Sequence, residues 1–180
     1  MNRGTRRGLI VAAALAVATI ALPAFAASSA PVTPRLPAVP HCTGANIEVW
    51  LGLNPDGAAA GTTFYPIEFT NDGFHTHTCY LSGRPGVFAI NSKNQKIGPA
   101  ISASTSGAKI TLKPGQTAYT RIGIVQAGFI AGCAAATAAG MEVTPPGQSS
   151  PQPIFSFSFP VCKNKKFMND TNLVAGVGIP

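Results

Sequence analysis

The sequence predicts an all-β sandwich, and three of its features support that prediction. Apolar and polar residues alternate over short segments, which is the pattern of a strand with one buried face. Residues that favour turns, mainly Gly, Pro and Asn, separate these segments as they do in small β domains. The chain also holds four cysteines, an even number typical of a disulfide framework in an oxidising compartment.

Two alternating strands open the predicted domain. Their inward-facing residues are Ile47, Val49, Leu51 and Leu53, followed by Tyr65, Ile67 and Phe69. Turns at residues 54–57 and 71–73 end the two strands. Pro66 has no backbone N–H to donate, so we expect the second strand to lie at a sheet edge or to be bulged at this residue.

Later segments continue the pattern. Residues 87–90 and Ile97 flank a turn and predict a hairpin. Two further strands, at 110–112 and 118–124, are predicted on either side of a Pro-Gly turn. A strand at 141–143 ends at a second Pro-Gly turn. The clearest alternation predicts a strand with one aromatic face, formed by Phe155, Phe157 and Phe159. The alanine-rich residues 128–140 predict a loop with one helical turn.

Residues 1–27 are predicted to be a signal peptide. Three arginines, Arg3, Arg6 and Arg7, precede an apolar run over residues 9–22, and residues 24–26 supply the small-x-small pattern that a signal peptidase recognises. The apolar run is shorter than the roughly twenty residues of a bilayer span, so we expect cleavage rather than a retained anchor. Residues 5–9 also resemble a twin-arginine signal, which leaves the export route open.

Residues 28–41 are predicted to be a proline-rich spacer, and residues 42–180 a single β-sandwich domain. Prolines recur at every third position from Pro31 to Pro40, which is the period of a polyproline II helix and is typical of a stiff tether. The mature protein is expected outside the cytoplasm, either free or associated with the cell wall. No membrane span is expected after cleavage of the signal.

The charge of the chain does not favour nucleic-acid binding. The formal net charge of +7 falls to about +4 once the arginines of the signal are removed. The remaining positive residues are scattered, apart from Lys163, Lys165 and Lys166. Nucleic-acid binding requires a dense basic stripe or a known reading motif, and the sequence shows neither.

The cysteines are expected to form two disulfide bonds. Cys42, Cys79, Cys133 and Cys162 have none of the close spacings of a zinc knuckle or a redox motif. The sequence allows three connectivities, and we expect sequential pairing, Cys42 with Cys79 and Cys133 with Cys162. Each bond would stabilise the domain by about 3 to 4 kcal/mol by restricting the unfolded chain.

Several segments share a pattern with a known family. The segment from Cys79 to Val87 fits C-x-L-x-G-x-P-G-V, residues 64–71 form a strand ending in Thr-Asn, and residues 112–118 fit L-x-P-G-x-x-A. From Cys42 to its end, the chain thereby resembles a secreted actinobacterial family known as domain of unknown function 4232 (DUF4232). The resemblance implies an immunoglobulin-like sandwich in exported proteins, often behind a lipoprotein or membrane anchor, although this sequence lacks a lipobox cysteine. The family has no assigned activity and implies no functional residues.

His75 and His77 are the candidate metal ligands. Residues two apart on a strand face the same side, so both imidazoles could hold one Zn²⁺ or Cu²⁺, and Asp72 could add a carboxylate. Two histidines beside a turn are also typical of an exposed polar loop, and that alternative stays open.

Trp50 and Tyr119 are the candidate binding residues. In the predicted register both face outward, where an aromatic side chain can anchor a protein partner or stack on a sugar ring. A slip of one residue would bury Trp50 instead, and we expect its side chain to be buried or partly covered.

The sequence predicts a binding protein rather than an enzyme. Residues 106–109 fit the S-x-x-K pattern of penicillin-binding enzymes, but they lie in a loop and not at the start of a helix in a larger domain. No cofactor is expected. The predicted function is an exported binding or interaction module of the cell envelope, whose partner is an extracytoplasmic protein or another envelope component. The alternative is an exported metal-binding domain that uses His75 and His77.

Overall fold

The computed structural model describes residues 37–52, 57–72 and 77–178. The predicted signal peptide and spacer residues 28–36 lie outside these ranges. Within them the chain forms strands and one short 3-10 helical turn, Ala127–Phe129, so the prediction of an all-β fold is confirmed. One compact unit spans Pro37–Pro180. The immunoglobulin-like arrangement stays a prediction.

The strands of the described ranges follow one another with short connections. In chain order they are β1 (Ile47–Leu51), β2 (Ala58–Ala59), β3 (Thr62–Asn71), β4 (Cys79–Arg84), β5 (Gly86–Ile90), β6 (Lys96–Ile101), β7 (Ser104–Leu112), β8 (Thr117–Val125), β9 (Ala135–Ala138), β10 (Gly140–Thr144), β11 (Gln152–Phe155), β12 (Phe159–Cys162), β13 (Met168–Asp170) and β14 (Val174–Ala175).

The largest sheet has the strand order β1-β3-β8-β13, with β2 added beside β3 and β14 beside β8. All of its pairings are antiparallel, and β3 pairs with β8 from Thr62–Val125 to Thr70–Thr117 without a break. Ile67 and Phe69 of β3 and Ile122 of β8 are fully buried. The predicted alternation therefore identifies the inward face of this sheet correctly.

Three smaller sheets complete the domain: β11-β10-β5-β6, β12-β9 and β4-β7. The predicted hairpin is present between β5 and β6, where the side chain of Asn91 accepts hydrogen bonds from the backbone N–H groups of Lys93 and Gln95. The Pro-Gly turn after β7 instead connects two different sheets, because β7 pairs with β4 and β8 pairs with β3. Buried residues from all four sheets form one hydrophobic core.

The prediction for Pro66 is correct only in part. Its strand, β3, is internal and not bulged at this residue, which pairs with Arg121 of β8 in an unbroken register, but on its other side Pro66 lies just past the last β1 pair, Leu51–Ile67. Its carbonyl oxygen accepts a hydrogen bond from the backbone N–H of Gly52 at 3.0 Å. In an antiparallel ladder the N–H and C=O of one residue point to the same neighbour, so the missing donor of Pro66 points just beyond the end of β1. The proline therefore interrupts no bond within the β1 ladder.

The predicted aromatic strand at residues 155–159 is wrong. β11 ends at Phe155 and pairs with β10, whereas β12 begins at Phe159 and pairs with β9. Residues 156–158 carry the chain from one sheet to the other. The expected loop at 128–140 is correct only in part, because the 3-10 turn lies at its start and β9 occupies residues 135–138.

Both expected disulfide bonds are present. Cys42 is bonded to Cys79 and Cys133 to Cys162, with Cα–Cα distances of 4.9 and 5.4 Å. The first bond joins the segment before β1 to the start of β4, and the second joins the loop before β9 to the end of β12. Two such bonds indicate an oxidising environment outside the cytoplasm. In the described part of the chain, no helix is long and apolar enough to cross a membrane.

Candidate functional site

A row of side chains crosses the outer face of the largest sheet. Trp50 of β1 lies opposite Glu68 of β3, Glu68 lies opposite Tyr119 of β8, and Tyr119 lies opposite Val174 of β14. Residues directly opposite each other project from the same face of a sheet. We call these four residues the outer row. Since adjacent strands are about 4.8 Å apart, the Cα atoms of Trp50 and Tyr119 are separated by about 10 Å.

The two candidate binding residues are thus brought together on one surface. Trp50 is 55% exposed and Val174 is 45% exposed, while Tyr119 and Glu68 are partly covered. The outward register predicted for Trp50 is correct, but the expectation that its side chain would be buried or partly covered is wrong. Ile47 and Val49 supply the buried face of β1, and Trp50 takes the opposite face of this outermost strand.

Charged and polar groups border the two aromatic rings. The guanidinium carbon of Arg121 lies 5.9 Å from the centre of the Tyr119 ring. Beside the row, the hydroxyl groups of Thr70 and Thr117 are hydrogen bonded at 2.8 Å. The outer face therefore combines large apolar rings with hydrogen-bonding groups, as interaction surfaces do.

The C-terminal segment contacts the middle of the outer row. The backbone N–H of Gly178 donates a hydrogen bond to Oε1 of Glu68 at 2.7 Å. A Cβ built on Gly178 would lie 2.5 Å from Cβ of Pro66, so the backbone at this residue rests directly on β3. This contact explains why Pro66 is buried although its side chain projects from the outer face. The hydrogen bond from Gly178 also fixes one carboxylate oxygen of Glu68, the only acidic residue of the outer row.

A second surface feature is an aromatic cleft that the sequence did not reveal. The Tyr65 and Phe157 rings are 5.5 Å apart, and the Phe157 and Phe159 rings stack at 4.7 Å. Tyr65 and Phe159 line a cleft of about 340 Å³ with Ile124 and Gln126. This volume is near the lower end of ordinary ligand sites, so the cleft can accept a small group only.

The metal candidates are only partly within the described residues. His75 lies outside them, whereas Asp72 and His77 are described. His77 is exposed, and its backbone carbonyl accepts a hydrogen bond from Nδ2 of Asn71 at 3.0 Å. Over residues 37–52, 57–72 and 77–178, no group of three or more His, Cys, Asp or Glu residues could hold a metal ion. A site that includes His75 stays a prediction.

Sequence reasoning assigned no role to Glu68, and it placed Phe157 on one strand with Phe155 and Phe159. The outward direction of Glu68 follows from its place between Ile67 and Phe69, but its position between two aromatic residues depends on strand pairing. The position of Phe157 depends on the chain leaving one sheet for another. Neither arrangement has a local signal in the sequence.

Comparison with known proteins identifies one relationship. The sequence model of the family described as "Domain of unknown function (DUF4232)" matches residues 42–169. No curated protein matches the sequence. No solved structure matches it either.

Proposed function

The chain belongs to the DUF4232 family, and from that premise we propose that it is an exported, non-enzymatic binding module of the cell envelope. Export is supported by the basic and apolar pattern of residues 1–27 and by the two disulfide bonds. A binding role is supported by the exposure of Trp50 in the outer row.

The outer row fits a protein partner. Trp, Tyr and Arg are the residue types most enriched among those that dominate the free energy of protein binding, and Trp50, Tyr119 and Arg121 lie on this one face. Four strands, of which β8 has nine residues, β1 five and β14 two, give a face of at most about 500 Å², which suits a small, transient interface. The exposed Trp50 ring, 55% open to solvent, is the observation that carries this proposal.

The test measures retention of the chain lacking residues 1–27 on envelopes isolated from cells without this protein. We expect retention that disappears when the envelopes are treated with protease. Trp50→Ala should weaken binding about 30-fold, because truncating a Trp that dominates an interface typically costs about 2 kcal/mol or more. Tyr119→Ala should weaken it about 10-fold. Trp50 is the only tryptophan in the chain, so its fluorescence reports contact at this residue directly.

Tyr80→Ala is the matched control. Tyr80 is partly exposed on β4, which belongs to a different sheet, and its replacement should leave retention unchanged. Retention that survives protease but is lost after digestion of envelope polysaccharide would replace the protein partner with a glycan. Turnover of an envelope ester or polymer that disappears in Glu68→Gln would refute the non-enzymatic role.

A further inference from the structure

A basic loop and an exposed phenylalanine lie close together at one end of the domain. Lys163, Lys165 and Lys166 are all exposed in the loop that follows β12. Phe129 closes the 3-10 turn after β8 and is 67% exposed, more than any other large apolar side chain of the described residues. We call these four residues the basic-aromatic end.

The loop of the lysines is fixed to the loop that follows Phe129. The Cys133–Cys162 disulfide bond joins the two loops covalently. Between them, the side chain of Asn164 accepts a hydrogen bond from the backbone N–H of Ala134 at 2.8 Å and donates one to the carbonyl oxygen of Gly132 at 3.0 Å. The two loops therefore move as one body.

The segment that follows Phe129 also lies near the lysine loop in space. A Cβ built on Gly132 would lie 4.0 Å from Cε of Lys165. Gly132 follows Phe129 by three residues, a span of at most about 10 Å. The Phe129 ring itself lies against the backbone of Gly61, where an added Cβ would be 2.5 Å from the ring, and most of it stays open to solvent. The joined loops thus place the ring and the lysines at the same end of the domain.

The positive charges of this loop are not neutralised within the described ranges. The ion pairs there join Arg84 to Asp170 and Lys96 to Glu142, and neither involves the loop lysines. Each Lys near an anionic bilayer surface raises the affinity of the protein for the membrane about fivefold. An exposed aromatic side chain beside such lysines adds affinity by entering the boundary between headgroups and acyl chains.

We propose that the basic-aromatic end docks on an anionic membrane surface. Three lysines contact the lipid phosphates, and the Phe129 ring inserts between the headgroups. Charge complementarity alone would also suit a soluble polyanion, but a polyphosphate without bases gains nothing from an exposed phenyl ring. The inference is independent of the outer row, which lies on the strands of the largest sheet.

The test is cosedimentation of the chain lacking residues 1–27 with vesicles. We expect binding to vesicles of phosphatidylcholine mixed with phosphatidylglycerol, much weaker binding to pure phosphatidylcholine, and a decrease with salt as the charges are screened. Replacing Lys165 and Lys166 together by Gln should weaken binding about 30-fold. Phe129→Ala should weaken binding while preserving its dependence on salt.

The matched control replaces Lys109 and Lys113 by Gln, which removes the same charge elsewhere. Lys113 precedes β8 and Phe129 follows it, so nine residues of strand separate them, a distance of about 30 Å. This variant should bind the mixed vesicles nearly as well as the original chain. An equal loss of vesicle binding in both double variants would show that only the net charge matters. Unchanged vesicle binding by Phe129→Ala would indicate a site for polyanions. Either result, or no binding at all, would overturn the proposal.

Discussion

Asn71 is expected to be one of the most sensitive positions of the domain. Its side chain is completely buried, and Nδ2 donates hydrogen bonds to the carbonyl oxygens of His77 at 3.0 Å and Leu112 at 3.2 Å. Asn71→Ala removes both bonds and leaves two carbonyl groups without this donor. With about 1 kcal/mol for each bond and a similar penalty for the buried carbonyl of Leu112, the free energy of unfolding should fall by about 3 kcal/mol.

The measurement is thermal unfolding followed by circular dichroism with both disulfide bonds intact. For about 140 ordered residues, a loss of 3 kcal/mol lowers Tm by about 10 °C. Asn71→Asp should be at least as harmful at neutral pH, because a buried carboxylate would then face two carbonyl oxygens. Burial raises the pKa of the introduced carboxyl above its unfolded value. The folded state then binds more protons, so this variant should lose stability as pH rises from the unfolded pKa to the folded one.

Asn91→Ala provides the control. The Asn91 side chain also makes several hydrogen bonds in the turn between β5 and β6, but water can replace them because the turn is exposed. Its replacement should cost less than about 1 kcal/mol. Equal losses of stability in Asn71→Ala and Asn91→Ala would refute the argument from burial.

Three further predictions concern the disulfide framework, a close backbone contact and the candidate metal site. Replacing Cys42 and Cys79 by Ser opens a loop with a sequence separation of 37, so the free energy of unfolding should fall by about 4 kcal/mol in chemical denaturation. Gly83 has a φ of 90°, and an added Cβ would overlap a backbone carbonyl of β7. Gly83→Ala should therefore cost more than about 2 kcal/mol, and a Tm within a few degrees of the original would contradict this account. If His75 and His77 bind metal, native mass spectrometry should show one Zn²⁺ or Cu²⁺ per chain that is lost when both become Ala, whereas a metal-free spectrum with unchanged thermal stability would exclude that site.

Strand faces could be predicted from the sequence because alternation is a local property. Ile67, Phe69 and Ile122 are buried as expected, since one face of each strand packs on the core. Alternation carries no information about which sheet a strand joins. The run from Phe155 to Phe159 therefore resembles one strand although it serves two sheets, and Pro66 resembles an edge residue although its strand is internal.

In the candidate site, too, the direction of a side chain could be predicted from the sequence, whereas the pairing of strands could not. The outward direction of Trp50 and of Tyr119 follows from the residues beside each of them, and both directions were predicted. Their position in one row with Glu68 depends on the pairing of β1 and β8 with β3, which are distant in sequence. The basic-aromatic end likewise depends on the disulfide bond that joins its two loops.

The outer row depends on backbone contacts of the same residue, Asn71. The backbone N–H of Asn71 donates to the carbonyl of Gln116 at 3.0 Å, and its carbonyl accepts from the N–H of Gly115 at 2.7 Å. These bonds hold the turn before β8 against the end of β3, where they help to set the register of the two strands. A slip of one residue would turn Tyr119 into the core and Ala118 outward. The exposed aromatic surface is therefore a consequence of register, and the backbone groups of Asn71 help to set that register.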